Sequence, residues 1–155
     1  MNLSTLIDEV LEKAESGALD SGVFFNTLTT EQPDIFTFFF DEDTRLLTEP
    51  EHDYLLFLAM VVLSVLREHG IATTGIDLEI LEEAEEHNWG LLEHASLESI
   101  SDSVERHPAF ALYTFLEEAC TPQQKHEVLS EVAAELVYNK CKSLVDCAFD
   151  PSLEF

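Results

Sequence analysis

The chain of 155 residues carries 32 Asp and Glu against 7 Lys and Arg, a formal net charge of -25, while 46% of its residues are hydrophobic. A disordered acidic tail lacks apolar residues to bury, so this composition describes a folded globule with a strongly negative surface. It disfavours direct nucleic-acid binding, because carboxylates would face phosphates, and it disfavours membrane insertion, because no apolar run reaches the ~20 residues that span a bilayer.

The length fits one domain over about residues 1–150, with a short tail at 151–155. Only five Gly and five Pro occur, mostly where helices should begin or end, which predicts an all-α bundle of about five to seven helices. Leu3, Leu6, Ile7, Val10, Leu11 and Ala14 recur at helical spacing, and Gly17 follows as a terminator. The start of the chain lacks the basic region of a secretory signal, so a cytoplasmic protein is expected. Ile35 to Phe40 fits a strand or a helix begun at Pro33. With no second strand candidate to pair with, a short helix or an aromatic loop is favoured. Asp34, Asp41, Glu42 and Asp43 flank this run as charged gatekeepers.

Thr48-Glu49-Pro50-Glu51 combines a capping Thr, an early Pro and a Glu three residues after the cap. The helix it opens, about residues 50–69, is apolar on every side from Tyr54 to Leu66 apart from Ser64, which predicts a central helix ended by Gly70. Asp77 caps a third helix reaching about Ala95, with Leu78, Leu81, Ala84, Leu91 and Leu92 on its buried side. Short helices over 97–104 and from Pro108 through Leu116 come next. Thr121-Pro122-Gln123-Gln124 reads as another capping box, opening a last helix to about Phe149 with Val128, Leu129, Val132, Leu136, Leu144 and Val145 facing inward. Cys120, Cys141 and Cys147 show no close spacing and read as reduced thiols packed as small hydrophobes.

Charge is regional. Nine acids and no Lys or Arg lie between Asp77 and Asp102, whereas Thr121 to Phe149 holds three lysines against four carboxylates. On the third helix Glu79 and Glu83, and Glu82 and Glu86, are like-charge pairs at i,i+4, each destabilising by about 0.2–0.5 kcal/mol. Trp89, the single tryptophan, should border this stripe, and an aromatic ringed by charge is the composition of an interface hot spot. Glu79, Glu82, Glu83, Glu86, Trp89 and Glu93 are therefore the candidate interaction residues. The nearly neutral last helix is the expected surface for any homodimer.

Catalytic motifs are missing. Gly70 to Gly75 has half the spacing of a phosphate loop, but Ile76-Asp77 stand where Lys and Ser or Thr are required. Asp41-Glu42-Asp43 opens like a calcium loop, yet Leu46 replaces the required Gly and His52 the bidentate Glu. No cofactor and no enzymatic activity are expected. The composition favours a non-enzymatic module that binds a basic partner protein as an inhibitor, chaperone or adaptor. Two other readings stay open: a carboxylate-rich metal-binding protein or small helical enzyme with Glu83, His87 and His52 as candidate ligands, and an acidic surface that reflects only a saline cytoplasm.

Overall fold

The structure, a computed structural model of the chain, describes residues 2–121 and 129–149. Six of the eight helices among the described residues begin where the sequence supplies a side-chain acceptor for their free N–H groups. Asn2 accepts from Thr5 N at 2.8 Å and opens α1, Leu3–Glu15, which buries Leu3, Leu6, Ile7 and Val10. Gly17 follows with φ 83°, a left-handed conformation that suits a residue without Cβ. Asp20 accepts from Val23 N at 3.0 Å and opens α2, Ser21–Glu31, a helix the apolar spacing does not announce. The aromatic run is helical, as favoured: α3 spans Pro33–Phe39 and buries Ile35, Phe38 and Phe39. A 3-10 turn over Asp43–Leu46 leads to α4, Glu49–Glu68, whose Thr48–Glu51 capping box is fully formed. α5 spans Leu78–Leu92 behind Asp77, α6 spans Leu97–Ser103, α7 spans Phe110–Cys120 and α8 spans Glu131–Phe149.

Eight α-helices, and no strand, thus make up the described residues, one helix more than the upper end of the expected range. α1, α2 and α3 pack on α4, α5 and α7 pack on α8, and α4 and α8 lie against each other. No helix among the described residues is long and apolar enough to cross a membrane. Cys120, Cys141 and Cys147 are free and buried, as expected, and burial pushes their thiols up, Cys147 to about 12.

Several expectations for the last helix are corrected. α8 begins at Glu131, with Ser130 Oγ accepting from Ala133 N at 3.2 Å. Thr121 is the C-terminal cap of α7, its hydroxyl donating to Glu117 O at 2.6 Å. Pro122 to Gln124, Val128 and the tail at 151–155 lie outside the described residues. Val132 faces solvent at 79% exposure rather than the core, and Leu91 on α5 is likewise turned out.

α4 is central as predicted, with ten of its twenty residues buried, but α8 is more enclosed, with fifteen of nineteen buried. Most of the helix expected to serve any homodimer is therefore packed against α4, α5 and α7 of the same chain, leaving Glu131, Val132 and Glu135 exposed. What escaped the pattern is that Asn139, Lys140, Lys142, Ser143 and Asp146, all buried, are satisfied by one another and by other helices.

Candidate functional site

α5 divides its residues between two tasks. Asp77 Oδ1 accepts from Ile80 N at 2.9 Å and Asp34 Oδ2 from Leu78 N at 3.1 Å, so two carboxylates stabilise its N-terminus. Leu81, Ala84, Glu85 and Asn88 form its buried face. Asn88 Nδ2 donates to Ser143 Oγ and Asp146 Oδ2, both at 3.0 Å, and Lys142 Nζ donates to Asn88 Oδ1 at 2.8 Å. Asn139 Nδ2 donates to the Glu85 carbonyl at 3.1 Å. These bonds across α5 and α8 fix the rotation of α5 and hence the direction of its outer face.

That outer face carries the predicted residues. Glu79, Glu82, Glu83, Glu86 and Glu93 are all exposed, and none joins an ion pair with a described residue. Glu82, Glu86, Trp89 and Glu93 fall within one narrow row at 100° per residue, so the tryptophan stands in line with the carboxylates. It is half-buried, as its position beside the acids suggests.

Glu85 belongs to the acidic run in sequence but not in space. It is buried, with its Oε2 2.9 Å from Lys140 Nζ, an ion pair held by charge without an aligned hydrogen bond. Lys140 also pairs with Asp41 and lies 4.0 Å from the centroid of the Phe38 ring. Burial pushes the Glu85 carboxyl up, and Lys140 offsets only part of that.

Trp89 forms one wall of a groove of about 370 Å³ that sequence spacing does not show. Leu46 and Leu47 from the 3-10 turn and its edge, and Val132, Ala133 and Leu136 from the start of α8, supply the rest of the apolar lining. Asp43, Glu51 and Glu135 add carboxylates to it. Leu46 is 83% exposed and Val132 79%, so two of the most exposed large apolar side chains border the same groove. Glu51 ties its base together, accepting from Thr48 N at 2.9 Å and from Ser130 N at 3.0 Å. Those backbone donors, Ser130 first, hold its carboxyl below the ordinary value of 4.5. With the folded value depressed, this stabilisation is fully present above the unfolded value and lost as pH falls through the folded one. Glu51→Gln is expected to flatten the acid limb of stability, read by urea unfolding between about pH 3 and 6.

The metal-ligand candidates do not converge. Glu83 and His87 share the exposed side of α5, while His52 lies on α4, where its Nε2 meets Phe39 O at 3.2 Å and its ring packs edge-on against Phe40. The acids that do cluster among the described residues are Asp41, Asp43 and Glu85, with oxygens within 4.8 Å of one another. Lys140 already places its ammonium on two of them. The chain matches no protein-family model, and no curated protein and no solved structure resembles it at a significant level.

Proposed function

We propose that the protein is a non-enzymatic binding module that docks the outer face of α5 onto a basic surface of a partner protein, as an inhibitor, chaperone or adaptor. The observation that carries this reading is the row of exposed Glu82, Glu86 and Glu93 interrupted by a half-buried Trp89, with no cation among the described residues paired to it. Unpaired like charges on a helix cost stability, whereas against a cationic surface they speed encounter and select partners. The three free, buried cysteines suit a reducing cytoplasm as the setting.

The test is affinity capture from the native host lysate at low salt, elution with a KCl gradient and mass spectrometry of the eluate. A basic protein is expected to leave at moderate salt and to be absent when Glu82, Glu83 and Glu86 are changed to Lys. With the isolated pair, the triple variant should slow association by roughly tenfold or more while unfolding near the wild-type midpoint. Unchanged binding by the triple variant would overturn the reading.

A further inference from the structure

The geometry points to a specific occupant for the groove beside α5: a basic amphipathic helix of the partner that places an aliphatic anchor against Trp89 and its Lys or Arg side chains on the flanking carboxylates. This rests on the reading of the acidic face and adds a second kind of contact to it. Three separate elements, the 3-10 turn, α5 and the first turns of α8, bring Leu46, Trp89 and Val132 around one depression. Leu46 and Val132 keep 83% and 79% of their surface exposed, although each could have been polar at no cost to the fold. The depression, about 370 Å³, lies near the small end of ligand pockets, room for a few inserted side chains.

Charge selects the occupant. Glu82, Glu86 and Glu93 lie in the Trp89 row, spread over ~16 Å of helix, and Asp43 and Glu135 stand at the groove. Cations at i,i+4 spacing on a helix lying along α5 would meet that row while an apolar residue between them enters the groove, the helix-in-groove mode of recognition. A second copy of this chain fits poorly, because it brings the same carboxylates and a net charge of -25. An uncharged apolar peptide would leave the acidic rim unmatched.

Trp89 is the only tryptophan, so its emission reports on the groove directly. Three helical peptides of about 16 residues, ~24 Å long, are titrated at low salt. One carries Lys at i,i+4 around a central Leu pair, the second has the Leu pair replaced by Ala, and the third has its Lys replaced by Gln. The first is expected to shift Trp89 emission to shorter wavelength, to bind roughly tenfold or more tighter than either other peptide, and to weaken with KCl. Leu46→Ser and Val132→Ser, at exposed positions where folding is not at stake, should bring its affinity towards that of the Ala peptide, and Trp89→Ala should do the same. Equal binding of the Leu and Ala peptides with no emission change would overturn the groove proposal and leave the acidic-face reading standing. No binding of either cationic peptide would overturn both. Sedimentation showing a dimer that Val132→Ser dissociates would replace the helix with a second copy.

Discussion

Lys140→Met is expected to lower the unfolding free energy by about 3–5 kcal/mol, because it leaves two buried or half-buried carboxylates facing each other without a cation. Lys140 is fully enclosed, pairs with Asp41 and Glu85, and covers the face of Phe38. Methionine fills a similar volume, so the loss reads charge and not a cavity. The double variant Lys140→Met, Glu85→Gln should recover part of it, since one of the orphaned charges is removed. Glu85→Gln alone should cost less than Lys140→Met, because Asp41 still pairs with the ammonium and burial already disfavours the charged form of the Glu85 carboxyl. The pH dependence has a definite sign. A carboxylate whose folded value is raised binds more protons folded than unfolded between the two values, so stability falls as pH rises through the folded value. Lys140→Met should therefore regain stability on mild acidification more than the wild type does. Urea unfolding at several pH values measures all of this, and a loss under about 1 kcal/mol for Lys140→Met would show that the carboxylates do not depend on it.

A loss of similar size, about 3–5 kcal/mol, is expected for Asp146→Leu. Asp146 is buried and accepts from Tyr113 Oη at 2.5 Å, from Asn88 Nδ2 at 3.0 Å and from Lys142 Nζ at 2.9 Å. Leucine removes every one of these acceptors and leaves the Lys142 ammonium with Asn88 Oδ1 as its remaining bond. Asp146 is thus the residue through which α5, α7 and α8 meet in a single polar cluster. Pairing the change with Lys142→Met removes the stranded cation, so the double variant should be more stable than Asp146→Leu by itself. A double-mutant cycle on Lys142 and Asp146 should give a coupling of about 1–3 kcal/mol, and a cycle that closes near zero would mean that Asn88 and water already satisfy the lysine.

Apolar spacing and the Gly17 terminator made α1 legible, and the caps at Thr48 and Asp77 ahead of apolar residues made α4 and α5 legible, because each signal lies in adjacent residues. α2 was not, since only Phe25 and Leu28 of its eleven residues are buried and the informative signal was a single Asp20 three residues ahead of the N–H it caps. α8 misled for a different reason. Lysines and an aspartate inside a helix read as solvent-facing, and their burial depends on Asp41, Glu85, Asn88 and Tyr113, which come from distant parts of the chain. The acidic face of α5 could be read from helical period alone. The groove could not, because Leu46, Trp89 and Val132 share no period and meet only after the 3-10 turn, α5 and α8 are folded against one another.

The most enclosed helix of the bundle is also the last one described, and that order governs how the chain is made. As the ribosome delivers residues 1–130, α4, α5 and α7 emerge without the element that fills the space between them, and their inner surfaces wait for α8, roughly one to four seconds of further synthesis at typical elongation rates. During that interval Asn88 and Glu85 lack their partners on α8 and the apolar faces beside them are open to other nascent chains. A surface this rich in negative charge keeps such half-made chains apart, so the acidity of the chain would protect the protein during its own birth.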